Sequence, residues 1–137
     1  MRFEGKTVVV TGASSGMGYV IALDFAKEGA TVIAVARRKE RLETLAKEAN
    51  GMAGKIIPYV GDLSSKEKAE GMIEFTVEQC GKIDVLVNNA GVMDEFKPID
   101  EMTDELWDRV MSVNLNGPVM AMRKAVQVML EQETGGN

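Results

Sequence analysis

The chain has 137 residues, 45% hydrophobic and 27% charged, which is long enough for one domain with a real core and ordinary for a globular protein. A formal net charge of −5 with no basic tail argues against a nucleic-acid or anionic-membrane partner. One cysteine, Cys80, and no histidine remove an internal disulfide framework, a zinc cluster and any His-based triad. The expected setting is reducing and cytoplasmic.

Met1-Arg2-Phe3-Glu4-Gly5-Lys6 does not read as a signal peptide, because the apolar run after it is only Val8-Val9-Val10. No stretch approaches the ~18 apolar residues of a membrane span. Lys6 to Thr11 reads as a first strand, and Gly18 to Glu28 as a helix closed by Gly29. Thr31 to Ala36 is a second strand, and Lys39 to Asn50 a charged amphipathic helix with Leu42, Leu45 and Ala49 inward. A turn over 51–54 leads to a third strand, Lys55 to Val60. Ser64, with Glu67 three residues on, offers a capping box for a helix to about Gln79. Ile83 to Val87 is a fourth strand. From an N-cap at Thr103, a helical tract runs to about Glu131, with Trp107 expected to pack its start against the sheet.

The strands are continuous apolar runs, which indicates burial on both faces. Alternation of such strands with helices means a parallel α/β sheet. Pro58 cannot donate to a ladder, so the third strand belongs at an edge. A doubly wound order of 3-2-1-4 puts it there. In that order the fourth strand is an open edge, with no lysine, proline or bulge to guard it.

Between the first strand and the first helix stands Thr11-Gly12-Ala13-Ser14-Ser15-Gly16-Met17-Gly18. A dinucleotide pyrophosphate needs a tight turn, close backbone approach and free N–H groups at a helix N-terminus. Gly12, Gly16 and Gly18 suit those needs, and Ser14 and Ser15 add hydroxyl donors; an ordinary Gly-rich turn would look much the same. Three further segments follow in order: Asp62-Leu63 after the third strand, Asn88-Asn89-Ala90-Gly91 after the fourth, and Asn114 within Val113-Asn114-Leu115-Asn116-Gly117.

Together these four segments resemble the short-chain dehydrogenase/reductase family, over its amino-terminal half. The resemblance implies a Rossmann-type doubly wound sheet, with residues 1–137 forming the NAD(P)-binding part of a single-domain enzyme. It implies that Gly12 to Gly18 hold the pyrophosphate, with Met17 contributing backbone. Asp62 would accept from the adenine amino group, and the Leu63 amide would meet the ring; otherwise Asp62 is a turn residue before the next helix. Asn89, Ala90 and Gly91 would line the nicotinamide-side ribose, while Asn88 ties strand ends together. Asn114 is the one catalytic candidate here, in a helix whose irregularity positions a water for proton relay; without the resemblance it reads as an exposed polar residue.

The end of the second strand selects the cofactor. An acid there would bind the ribose hydroxyls of NAD, whereas an arginine accepts the extra phosphate of NADP. The sequence has Ala36-Arg37-Arg38, and a planar guanidinium suits a phosphate. NADP(H) is therefore expected over NAD(H), the alternative being that Arg37 and Arg38 merely open a charged helix. Ser15 stands where many NADP-binding relatives carry a basic residue. The family pairs nicotinamide chemistry with a tyrosine and a lysine four residues later, assisted by a serine. Tyr19 is followed at that distance by Leu23, and Tyr59 by Leu63. The expected activity is thus that of an alcohol/carbonyl oxidoreductase seen through its cofactor-binding half, inactive alone; a non-catalytic NADP-binding module or an interaction fragment is the alternative. The expected partners are a small alcohol or carbonyl and further copies of the chain. A homodimer or homotetramer would form through the helix over 103–131, whose residues Leu115, Val119, Met122, Val126 and Met129 make an apolar stripe.

Overall fold

The computed structural model describes residues 1–137. In chain order the elements are β1 (Thr7–Thr11), α1 (Gly16–Lys27), β2 (Thr31–Ala36), α2 (Lys39–Glu48), β3 (Lys55–Val60), α3 (Lys66–Cys80), β4 (Val85–Val87), α4 (Asp104–Met111) and α5 (Gly117–Glu131). β1 is buried along its whole length, as a strand with neighbours on both edges and helices on both faces must be. All pairings are parallel and the order is β3-β2-β1-β4, the Rossmann-type arrangement expected. Pro58 lies opposite Ala34 on the outer strand, β3, where its missing N–H costs no ladder bond.

The two faces follow from the period of two along each strand. Val8 and Val10, with Val32 and Ala34, pack under Ala22, Leu23 and Ala26 of α1 and Leu42 and Leu45 of α2. Val9, with Ile33 and Val35, packs on the opposite face under Met72 and Ile73 of α3 and Ala121 and Ala125 of α5. No helix is long and apolar enough to cross a membrane.

Five local expectations need correction. First, α1 starts at Gly16 rather than Gly18. Second, the cap of α3 is Ser65, whose hydroxyl accepts from the Lys68 amide at 3.4 Å. Asp62 Oδ1 takes the Ser64 amide at 3.0 Å and turns the chain one residue earlier, so no capping box forms with Glu67. Third, the tract over 103–131 is not one helix, since a π-helical turn over Ser112–Asn116 divides α4 from α5. Fourth, α4 buries none of its residues, and Trp107 is 52% exposed rather than packed on the sheet.

The fifth concerns β4, which is shorter than expected and not fully open. The Gln132 side chain accepts from Ile83 N at 2.8 Å and donates to Ile83 O at 2.9 Å, as a strand neighbour would. Asn137 N donates to Asp84 O at 2.8 Å and Asn137 O accepts from Leu86 N at 2.9 Å, a parallel ladder bridge along that edge. Neither cover has a sequence signature, since one is a single side-chain amide and the other a single residue's backbone.

One buried carboxylate joins the starts of β1 and β4. Asp84, 7% exposed, accepts the Thr7 amide at 2.8 Å and is paired with Lys82 at 3.0 Å and Lys6 at 3.7 Å. Burial alone would raise its pKa, but the Thr7 amide and the two lysines outweigh it and hold the carboxyl below the usual aspartate range. Its contribution to stability is therefore fully present above the unfolded value, about pH 4, and disappears as pH falls through the lower folded value. Asp84→Ala leaves the Thr7 amide without its acceptor and is expected to cost about 1.5–3 kcal/mol in urea denaturation at neutral pH. Lys82→Ala removes only a partly exposed partner and is expected to cost under about 1 kcal/mol. Equal losses in the two variants would show that the amide bond is not the principal contribution.

Candidate functional site

At the carboxyl ends of the strands, β1 has β2 on one side and β4 on the other, and the loops that follow them diverge. Beneath the resulting crevice, outside its lining, one buried hydroxyl ties the ends of β1 and β4 together. Thr11, 1% exposed, donates to Val87 O at 3.3 Å and accepts from Asn89 N and Ala90 N, each at 3.0 Å. The Asn89 side chain adds Nδ2 bonds to Thr11 O at 3.2 Å and Gly12 O at 3.4 Å. The tie between strand ends expected of Asn88 is thus made by Asn89 and Thr11, while Asn88 is exposed.

Next to this tie the glycine turn is pressed against its surroundings. Gly12 has φ +64°, and a Cβ there would lie 2.9 Å from Ala90 Cα. A Cβ on Gly18 would lie 2.2 Å from Gly12 O, so α1 starts as close to the turn as a chain without side chains allows. Gly16, by contrast, has open space before it. Ser15 makes no side-chain cap bond, and the Gly16, Met17 and Gly18 amides have no acceptor within the chain. Unpaired first-turn amides at the positive end of a helix are a ready anion site.

The crevice is an open cleft of about 350 Å³. Gly12, Ser14, Ser15 and Met17 line it from the turn, and Arg37 and Arg38 from the end of β2. Asp62 and Leu63 line it after β3, and Asn89, Ala90 and Gly91 after β4. Eleven of the thirteen expected cofactor residues thus share one cavity; Gly16 and Gly18 do not form its wall. Arg38 Nη2 donates to Ser14 Oγ at 3.2 Å, tying the basic corner to the glycine turn. The Ser64 amide, the guanidinium groups of Arg109 and Arg37 and the Ser64 hydroxyl hold the Asp62 carboxyl below the usual range, against an opposing effect of partial burial. Asp62 is therefore an ionised acceptor.

Asn114 is exposed and does not line the cleft; it lies in the π-helical turn. Its Oδ1 accepts from Val92 N at 2.7 Å and its Nδ2 donates to Val92 O at 2.8 Å. Both side-chain groups are thus used to hold the loop after β4. Arg109 and Val113, which carried no expectation from the sequence, also face the cleft, Arg109 from α4 and Val113 from the π-helical turn that follows it. Thr11 likewise carried no expected role. Neither tyrosine enters the cleft: Tyr19 donates to Glu48, and Tyr59 packs on Phe75 with ring centroids 5.2 Å apart.

Over residues 6–136 the chain matches the family model described as short chain dehydrogenase. A 3-oxoacyl-[acyl-carrier-protein] reductase of Thermotoga maritima is 44% identical over 98% of this chain and 54% of its own length. A 3beta-hydroxysteroid dehydrogenase of Eggerthella lenta is 39% identical over 96% of this chain and 51% of its own. Among solved structures, a metagenomic short-chain oxidoreductase in complex with NADP superposes with a TM-score of 0.91 at 33% identity, over 96% of this chain and 59% of that one. An NAD+-bound xylitol dehydrogenase superposes with a TM-score of 0.90 at 30% identity, over 98% of this chain and 52% of that one. The chain spans about half the length of the curated relatives it matches.

Thr11→Val keeps the shape of the side chain but leaves the Ala90 amide without its acceptor and the Asn89 amide with Val87 O alone. It is expected to cost about 2–3 kcal/mol in urea denaturation, and Thr11→Ser, which keeps the hydroxyl, under about half as much. Equal stability of wild type and Thr11→Val would show that the hydroxyl does not hold the ends of β1 and β4 together.

Proposed function

Because the chain belongs to the short-chain dehydrogenase family, we propose that it is the cofactor-binding domain of a cytoplasmic oxidoreductase that interconverts an alcohol and a carbonyl with NADP(H). The observation that carries this reading is the single cleft in which the glycine turn, the Arg37-Arg38 corner, Asp62-Leu63 and Asn89-Ala90-Gly91 meet. The cleft suits a dinucleotide on its own chemistry: unpaired amides and open space at Gly16 fit a pyrophosphate. Asp62 is an ionised acceptor for an adenine amino group, and the Leu63 backbone lies beside it. Asn89, Ala90 and Gly91 are placed for the ribose next to the nicotinamide. When bound, the nicotinamide supplies the redox chemistry. The residues of this chain bind and orient it, and Asn114, through Val92, keeps the loop beside it in place. No tyrosine in residues 1–137 is followed by lysine four positions on, so we ascribe to these residues no proton donor, keep Asn114 as the position that would hold a relay water, and expect no turnover from them alone.

Preference for NADP(H) rests on Arg37 and Arg38. Both are exposed at the end of β2, beside Ala36, and Arg38 is already oriented by Ser14. A charge-assisted contact to a 2′-phosphate contributes about 1.5–3 kcal/mol, or roughly ten- to a hundredfold in affinity. The relative solved with NADP is in keeping with this choice, although the xylitol dehydrogenase was solved with NAD+.

The α5 surface supports the assembly proposal in a narrower form than the sequence suggested. Leu115, Val119, Met122, Val126 and Leu130 are 41–80% exposed, whereas Met120 and Met129 turn inward to the core. We propose that this exposed row is the contact between copies in a homodimer or homotetramer.

Dissociation constants for NADP+ and NAD+ in wild type and in Ala36→Asp combined with Arg37→Ile check the cofactor reading. Wild type is expected to favour NADP+ by about ten- to a hundredfold and the double variant to lose that preference. An unchanged preference would reduce Arg37 to a surface charge. For the assembly, light scattering of the complete protein at micromolar concentration is expected to show a dimer or tetramer that Val126→Glu weakens. A stable monomer would overturn it.

A further inference from the structure

Arg109 is the cleft residue that the binding scheme above leaves without a task. It sits on α4, half-buried, and lines the cleft with Val113 of the π-helical turn that follows. Arg2 and Arg123 are taken up by Glu28 and Glu70, but Arg109 has no carboxylate within ion-pair distance. A partly desolvated guanidinium facing an open cavity without a protein partner is a group with unused binding capacity.

Its position decides what it would meet. The π-helical turn that follows α4 is pinned on two sides. Asn114 holds Val92 after β4, and Gly117 lies so near the loop after β3 that a Cβ on it would be 2.4 Å from Leu63 O. These contacts fix the last turn of α4 over the part of the cleft between Asp62-Leu63 and Ala90-Val92. The glycine turn and the Arg37-Arg38 corner border other parts of the same cleft. The share of the ligand facing Arg109 is therefore the base, edged by Asp62 and floored by the apolar Leu63 and Val113, both under 10% exposed. An aromatic base between an apolar floor and a planar cation is held by stacking and by cation–π attraction.

We infer that Arg109 is a base-binding residue of the nucleotide cleft, its guanidinium plane covering the exposed face of the purine whose amino edge Asp62 accepts. This rests on the cofactor reading above. Arg109 recognises the adenine common to both cofactors, whereas Arg37 and Arg38 recognise the phosphate that distinguishes them. Its electrostatic influence on Asp62 fits the same placement.

Calorimetry with adenosine 5′-monophosphate and adenosine 2′,5′-bisphosphate separates these roles. Arg109→Ala is expected to weaken both ligands by the same factor, about two- to thirtyfold, and Arg37→Ala to weaken only the bisphosphate. Arg109→Lys keeps the charge but not the plane, and is expected to bind both ligands more weakly than wild type. Thermal melts identify any variant that has lost its fold. An NMR titration of the wild-type protein gives a readout independent of any substitution. The Arg109 Nε–H resonance is expected to shift with adenosine, which has the ring and no phosphate, and to stay in place with ribose 5-phosphate. The inference fails if Arg109→Ala binds both nucleotides as wild type does, if its loss is confined to the bisphosphate, if Arg109→Lys binds like wild type, or if adenosine leaves the resonance unmoved. A wild-type protein that binds neither nucleotide would overturn the cofactor reading, and this inference with it.

Discussion

Where two parallel strands end side by side and their loops leave in opposite directions, a crevice opens that no ladder bond closes. In this protein the closure depends on Thr11. Its hydroxyl takes one carbonyl from the end of β4 and offers its oxygen to two successive amides of the loop beyond, so β1 and β4 finish at a fixed offset. Thr11 itself is buried, so its hydroxyl has no water to take the place of these partners. Gly12 and Ala90 can then approach to a distance that excludes any side chain on Gly12. The shape of the site is the consequence of that approach.

A second constraint comes from the break in the helix. A π turn frees backbone groups and shifts the face that a helix presents. Here it lets one segment reach two loops. Asn114 grips Val92 on one side while Gly117 admits Leu63 O on the other. The loops after β3 and β4 come from strands on opposite sides of β1 and share no ladder, so their separation is set by this segment.

The topology was legible in the sequence because it follows from composition along each segment. Val8-Val9-Val10 can be buried on both faces, and Pro58 can stand only at an edge. The cleft was legible because residues carrying its chemistry stand at strand ends, where parallel topology must bring them together. What was not legible depends on single side chains choosing between partners. Asp62 claims the Ser64 amide and moves a helix cap by one residue; Gln132 imitates a strand neighbour. Arg109 and Trp107 occupy one amphipathic helix, and nothing in its spacing says that the tryptophan faces outward and the arginine inward. That choice is made by α4 standing off the sheet, held by the turn that follows it.

The distribution of charge completes the account of the site. A chain of net charge −5 is a poor general host for a polyanion, but screening at physiological salt limits each charge to about 8 Å, so local placement decides. The cleft holds three arginines, at 37, 38 and 109, against the one carboxylate of Asp62. Asp62 would oppose an incoming phosphate if it acted alone. It is tolerated because the Ser64 amide first, and then Arg109 and Arg37, stabilise its charge, leaving a directional acceptor inside a basic surround. An acceptor of that kind suits a neutral amino group and repels a phosphate. Arg37 and Arg109, two of the cations that would attract a nucleotide, therefore also steady the acceptor that would tell its base from its phosphates.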